Sequence, residues 1–167
     1  PEMMSLTHGA IATAGASLIL GTADPTVIAL AIVGSQIPDL DTTASVPGRI
    51  FYPVANWIEQ RYPHRTITHC LWLSFTLAIA GLMAAYWVGD WKLGLACALG
   101  HLLSCLADTC TKEGVALFYP NPDRCVYGSN PNIRLSTGSI AEYWVLAFFT
   151  GLTIFAINLQ SAGGLMV

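Results

Sequence analysis

Two stretches of the chain carry no charge at all: Cys70 to Gly89, twenty residues, and Tyr143 to Val167, twenty-five. Each is long enough to cross a hydrocarbon core of about 30 Å as a helix. Three shorter apolar stretches, Gly9–Ala23, Pro25–Ile37 and Leu93–Ala107, hold about 13 to 15 residues each, and His101 interrupts the last. They read as helices extended at their ends by polar residues that face a bundle.

The connections sort these helices into pairs. Gly21-Thr-Ala-Asp-Pro25 is a tight turn with Pro25 at a helix-starting position, and Gly89-Asp-Trp-Lys92 is a second one with a tryptophan on either side. Helices one and two therefore form one hairpin, and helices three and four another. Between the hairpins, Ile50, Phe51, Val54, Trp57 and Ile58 fall on one stripe opposite Asn56, Glu59, Gln60 and Arg61, the pattern of a helix lying in a membrane interface. The segment 112–138 is rich in Pro, Asn and Gly and reads as irregular. The expected fold is an all-α, polytopic membrane bundle of about five helices in one domain over 1–167. Its helices are predicted at 8–22, 25–38, 67–89, 92–108 and 139–160, with an interfacial segment at 48–62.

Composition agrees with a membrane solvent: 54% of residues are hydrophobic and 10% charged, against about 25% charged in a soluble domain. The net charge of −3 and the scattered basic residues give no footprint for nucleic acid. In the predicted topology His8, Asp39, His69, Asp108 and Glu142 mark helix ends on one membrane face. Of the seven basic residues, Arg49, Arg61, Arg65, Lys112, Arg124 and Arg134 fall on that face and only Lys92 on the other, so that face is expected in the cytoplasm. Pro1-Glu2-Met3-Met4 lacks the basic region of a secretory signal peptide, and Pro1 and Glu2 read as a foreign remnant. Cys70, Cys97 and Cys105 sit in apolar stretches and read as reduced packing residues; Cys110 and Cys125 lie in polar surroundings where a bridge is open.

All four histidines, His8, His64, His69 and His101, lie at or near the polar face with Asp39, Asp41, Asp108 and Glu142. Ionisable groups at membrane depth cost several kcal/mol unless paired or metal-bound, so such a gathering points to function. In an extended Pro38-Asp39-Leu40-Asp41 segment both carboxylates would point the same way, able to chelate one cation or bridge two. His64-Arg65-Thr-Ile-Thr-His69 offers two imidazoles with a guanidinium between them, suited to an anionic group beside a metal. His101 and Asp108 share a helix stripe but lie seven residues, or about 10 Å, apart. Mixed imidazole and carboxylate donors suit zinc, manganese or iron, whose use at such a site is to activate water and polarise a phosphoryl or acyl oxygen. No GxSxG, HExxH or Walker-type loop is present.

Five ordered motifs carry a resemblance: Thr7-His8-Gly9; Gly34-Ser-Gln-Ile-Pro38-Asp39-Leu-Asp41; His64-Arg65-Thr-Ile-Thr68-His69-Cys70; Asp108-Thr-Cys-Thr111-Lys-Glu-Gly114 with Leu117-Phe118-Tyr119-Pro120; and Gly138-Ser-Ile-Ala-Glu142. Together they resemble the LexA-regulated, YdjM-like inner-membrane proteins of bacteria, a group whose suggested activity is metal-dependent hydrolysis. The resemblance implies His8, Asp39, Asp41, His64, His69, Asp108 and Glu142 as the site. It also implies a histidine four residues before Asp108, where this chain has Ser104. Either His101, one turn earlier, substitutes through a small helix shift, or one ligand is missing.

The leading expectation is a membrane-embedded hydrolase of an ester or phosphoester, most plausibly of a membrane lipid, using zinc or manganese. His8, Asp39, His69 and Asp108 would be direct ligands, with Asp41 and His64 in or just behind that set. Arg65 would neutralise substrate oxyanion charge and Glu142 would act as base or further ligand. The competing expectation is a non-catalytic membrane subunit, docked to a protein partner or to a second copy, with a structural or vestigial metal site. An ion or proton transporter is disfavoured because helices three and five carry no mid-membrane charge.

Overall fold

A computed structural model of the chain describes residues 5–128, 130, 134–136 and 138–163. The reading of Pro1 to Met4, parts of the 112–138 segment and the last four residues of the terminal apolar run lie outside the described residues. Among the described residues the fold is all-α, with seven α-helices and no strands: α1 Ser5–Ile19, α2 Pro25–Ser35, α3 Val46–Ile50, α4 Tyr52–Glu59, α5 Leu71–Val88, α6 Trp91–Asp108 and α7 Ile140–Gly163. Two 3₁₀ turns, Pro38–Asp41 and Ile67–His69, sit at the ends of α2 and before α5.

Both expected hairpins are present, and local chemistry shows why. Asp24 caps α2 by accepting from Thr26 N at 2.7 Å and Val27 N at 3.2 Å, with Pro25 in the first helical turn. These amide donors hold the Asp24 carboxyl below its ordinary value. Gly89 ends α5 in the left-handed region at φ 80°, and Asp90 caps α6 through Lys92 N at 2.9 Å. α6 is the central helix, packed against α1, α2 and α5, while α7 lies on α1.

Small residues make that packing. Ala12, Ala16, Val27, Ala31 and Ala96 form its buried centre, and the backbones of α2 and α6 touch where they cross. A Cβ on Gly34 would collide with the Cys97 carbonyl, and one on Gly100 with the Ala31 carbonyl. This is how helices associate in lipid, where apolar burial gives little drive and close van der Waals approach supplies it.

Several boundaries differ from the sequence reading: α1 runs Ser5–Ile19 in place of 8–22, and α7 runs on to Gly163 in place of 160. The second helix stops at Ser35 and passes into the separate Pro38–Asp41 turn, because Pro38 has no amide hydrogen to continue the ladder. The third begins at Leu71, whose N–H donates to Leu117 O at 2.9 Å and so stitches the helix start to the 115–117 segment. The interfacial segment is two short helices parted at Phe51, since Pro53 cannot donate back into a continuous helix.

Described residues of the 112–138 segment are tied down: Val115 and Cys125 exchange both backbone hydrogen bonds at 3.2 and 2.8 Å, and Leu135 N donates to Cys110 O at 2.9 Å. Cys110 and Cys125 are free thiols, as are Cys70, Cys97 and Cys105, so no bridge joins them.

Among the described residues two helices are long and apolar enough to cross a membrane, Leu71–Val88 and Ile140–Ser161, and only 11% of each is buried. The core helix of a soluble protein would be mostly buried, whereas here Trp72, Phe75, Ile79, Met83, Trp144, Phe148 and Phe155 stand exposed on the outer faces. At 15 and 11 residues, α1 and α2 extend only about 22 and 17 Å, too short to cross alone, and α6, as long as α5, is less apolar, so length and hydropathy together mark two candidate spans among the described residues.

The α2–α6 contact generates a test. Gly100→Ala should destabilise the bundle by about 1–3 kcal/mol through overpacking. Gly9→Ala, whose Cβ would meet nothing within 4 Å in α1, should be neutral or stabilising by up to about 1 kcal/mol. Thermal unfolding in detergent separates the two; equal effects would refute the close crossing.

Candidate functional site

Asp108, the last residue of α6, is buried with its two carboxylate oxygens facing different imidazoles. His8 Nε2 lies 3.6 Å from Oδ1, and His69 Nε2 lies 3.3 Å from Oδ2. His69 continues the chain, its Nδ1 lying 3.5 Å from Asp41 Oδ2 and 3.1 Å from Thr68 Oγ1. Asp41 Oδ1 in turn meets His64 Nδ1 at 2.9 Å. The result is an alternating row, His8, Asp108, His69, Asp41, His64, which runs from a fully buried imidazole to one that is 37% exposed. Each neighbour offsets part of the cost of burying the next.

The Asp41 carboxyl shows that balance. Burial works to raise its pKa, but the hydrogen bond from His64, the charges of His69 and His64 and the amide of Arg65 outweigh burial and hold it below the ordinary 3.8.

Arg65 closes the site from the side. It is 1% exposed and adopts φ 63°, a left-handed conformation that costs a non-glycine residue about 1–3 kcal/mol. Its surroundings hold it there. Arg65 N donates to Asp41 Oδ2 at 2.7 Å, its carbonyl accepts from Ala116 N at 3.1 Å, and its Nη1 donates to Thr111 Oγ1 at 2.7 Å and Gly114 O at 3.3 Å. Nη2 is 3.9 Å from Asp108 Oδ1, and Nε is 3.9 Å from Glu113 Oε2.

Asp39 and Asp41 are not in the extended segment in which both carboxylates would point the same way. They lie in a 3₁₀ turn, where residues two apart project about 120° apart. Asp39 Oδ2 accepts from Ser5 Oγ at 2.9 Å, at the start of α1, while Asp41 turns to the histidines.

His101 is held at both nitrogens, Nδ1 at 2.7 Å from Ser74 Oγ and Nε2 at 2.7 Å from Thr68 O. A carbonyl only accepts, so Nε2 carries the hydrogen and Nδ1 accepts from the serine. As placed, it presents no lone pair to a cation, and it braces α5 and the Thr68 turn against α6. Glu142 is buried at the start of α7, where its carboxylate accepts from Gly138 N at 2.7 Å and its own N–H donates to Ser139 Oγ at 3.3 Å. Ser139-Ile-Ala-Glu142 has the Ser-x-x-Glu spacing of a capping box, a signal present in the sequence beside the reading of Glu142 as base.

Sequence reasoning missed the residues that support the charged ones. Ser104, on α6, stands 2.6 Å from His8 Nδ1 and 2.8 Å from Ser35 O; Thr111 accepts from Arg65 and donates to Asp108 O at 2.7 Å. Only the one-turn spacings of Ser104 and Thr111 from Asp108 hint at such roles in the sequence.

Whether these residues suit a divalent cation can be judged from atoms left unsatisfied. His8 Nε2 and Asp108 Oδ1 are buried, face each other and form no hydrogen bond. Two N and O donors at about 2.0–2.2 Å from one ion sit roughly 3–3.6 Å apart, so the 3.6 and 3.3 Å gaps on either side of Asp108 are of the right size. The donor types and spacings fit. A closed cage is another matter: among the described residues no three His, Cys, Asp or Glu side chains are grouped to hold an ion.

The family model for the YdjM inner membrane protein matches residues 3–167, nearly the whole chain, and the protein belongs to that family. The family's name and the two exposed apolar helices agree on an inner membrane protein. No curated protein and no solved structure matches.

The row of charges predicts the effect of breaking it. Asp41→Ala strips the Arg65 amide and two imidazoles of their shared acceptor and should cost about 3–5 kcal/mol at neutral pH. Because the folded pKa lies below 3.8, the carboxylate's contribution is fully present above that value and fades as pH falls through the lower, folded one. Unfolding in detergent at pH 7 and below pH 3.8 should therefore show the gap between wild type and variant shrinking on acidification; an unchanged gap would refute the ionised role of Asp41.

Proposed function

We propose that this protein is a membrane-embedded hydrolase that cleaves an ester or phosphoester of a membrane lipid at the cytoplasmic face, using a divalent cation, zinc or manganese, held at Asp108. The observation that carries this reading is the buried, unsatisfied pair of His8 Nε2 and Asp108 Oδ1 at 3.6 Å, with His69 Nε2 on the other carboxylate oxygen and Arg65 Nη2 beside it. His8, His69 and Asp108 would hold the ion. When bound there, such an ion supplies Lewis acidity toward a phosphoryl or acyl oxygen and acidifies a water.

The chain's own groups supply the rest. Asp41 orients His69 through Nδ1 and keeps His64 at the rim, where a half-exposed imidazole can pass a proton to solvent. Arg65, fixed through Nη1, keeps Nη2 and Nε for anionic oxygen. Asp39, bonded to Ser5, and Glu142, bonded to Gly138, are better read as anchors of α1 and α7 than as base or direct ligand.

Lipid suits the setting, since α5 and α7 are long and apolar enough to cross a bilayer and the short α1 and α2 have ends near the polar row. Val54 and Trp57, exposed on α4, with Arg61 stacked 4.8 Å above the Trp57 ring, suit a helix seated among headgroups. Orientation follows from six of seven basic residues sharing the polar face.

The absence of a formed three-residue group among the described residues favours a second reading, a non-catalytic membrane subunit whose polar face docks a protein partner or another copy.

Two measurements decide. Elemental analysis of purified protein should find zinc or manganese near one per chain, with His69→Ala losing most of it and His101→Ala little; a metal-free wild type that also fails to bind added zinc would select the subunit reading. In intact cells, cysteines placed at positions 61 and 124 should label from the cytoplasm and one at position 90 from outside it; the reverse pattern would invert the topology.

A further inference from the structure

Ser104 occupies the position where the family resemblance leads one to expect a histidine, and its surroundings give it a different task. It is fully buried on α6, one turn beyond Gly100, where α6 and α2 are in backbone contact. That contact brings the carbonyl of Ser35, next to Gly34, within 2.8 Å of Ser104 Oγ, while His8 Nδ1 of α1 lies 2.6 Å from the same oxygen. A serine hydroxyl has one hydrogen, and a carbonyl can only accept. The hydrogen therefore goes to Ser35 O, and the Oγ lone pair is left for His8.

We infer that Ser104 is a positioning residue that locks His8 as its Nδ1–H tautomer, so that the Nε2 lone pair is the atom aimed at Asp108 Oδ1. The inference deepens the proposed function and rests on it for its purpose, though not for its geometry. A neutral imidazole in solution favours hydrogen on Nε2, and in that form Nε2 would offer Asp108 a donor and no lone pair. With Nδ1 committed to Ser104, a bare Nε2 and a carboxylate oxygen face each other 3.6 Å apart without a hydrogen bond between them. Two electron-rich atoms so placed form a receptor for an electrophile, and a histidine whose far nitrogen is pinned is how proteins orient imidazole toward a metal. In place of adding a donor, as a histidine at 104 would, the serine fixes which atom of His8 is the donor.

His101 provides an internal control in the same helix. Its Nε2 faces a carbonyl and its Nδ1 a serine hydroxyl, so it must hold the opposite tautomer, with hydrogen on Nε2. The two buried histidines should thus differ in a directly measurable way.

The test is nitrogen-15 NMR of histidine-labelled full-length protein in detergent or nanodiscs, metal-free, at a pH where both rings are neutral. His8 should show a protonated Nδ1 and a bare Nε2, and His101 the reverse. Ser104→Ala should abolish the His8 preference and leave the His101 signals in place, which also verifies folding; Ser104→Thr should restore it. In a zinc titration, Ser104→Ala should weaken binding by about 10- to 100-fold. A hydrogen on His8 Nε2 in the wild type, or a His8 tautomer unchanged in Ser104→Ala, overturns the inference. A wild type with the expected tautomer that binds no zinc upholds the Ser104 assignment and removes the metal-dependent reading, so the two fail separately.

Discussion

The carboxylate of Asp108 is the interaction on which the rest of the arrangement depends. It ends a helix whose preceding turns are apolar, it is 1% exposed, and an isolated charge there would be prohibitive. Its neighbours answer that demand from three parts of the chain: His8 on α1, His69 in the turn before α5, and Arg65 in the loop ahead of it. The demand then propagates outward. His69 needs Asp41 and Arg65 needs Thr111, and Asp41 can be buried only because His64 and the Arg65 amide reach it. Polar atoms thus fix the relative placement of helices that lipid, indifferent between apolar surfaces, would leave loosely specified.

Much of this was legible in the sequence, because membrane solvent makes hydropathy and charge placement unusually direct reporters. The long runs at α5 and α7, the Asp24-Pro25 and Gly89-Asp90 turns, and the gathering of histidines with Asp41 and Asp108 at one end all follow from spacing alone. The places where spacing misled have physical causes. Reading Pro38 to Asp41 as extended overlooked that proline followed by short polar residues closes readily into a 3₁₀ turn, and that choice decides whether the two carboxylates cooperate or part. Neutral residues were harder still. Thr111 and Thr68 look in the sequence like ordinary polar positions, Ser104 stands out only as the place of an expected histidine, and only distances to Arg65, His69 and His8 reveal what the three hold.

Arg65 joins two levels of this organisation. Its left-handed backbone lets one residue turn its amide to Asp41, its carbonyl to Ala116 and its guanidinium to Thr111 and Gly114. The Pro38–Asp41 turn and the loop after α6 are thereby attached to one buried residue. The conformational cost of about 1–3 kcal/mol is modest beside the penalty for leaving that guanidinium unpaired, so the strained geometry persists wherever the surrounding polar network is intact. The described residues of the loop after α6 are held to the helix ends by the same contacts and by the Val115 and Cys125 pairing.

Helix length ties the architecture to the chemistry proposed for it. α1 and α2 are the short members of the bundle, and His8 and Asp39 lie on or just beyond them. At 15 and 11 residues, beside the 18 of α5 and 24 of α7, they draw the ends of the bundle inward. Groups that would otherwise be interfacial are then buried by α6 and by the loop over it. Burial of that kind strengthens every electrostatic interaction in the row, and half-exposed His64 leaves one end of the row open to the surface. A site for a substrate that is itself anchored in the membrane needs both properties together. The short helices provide them without any charge being placed in the apolar middle of α5 or α7.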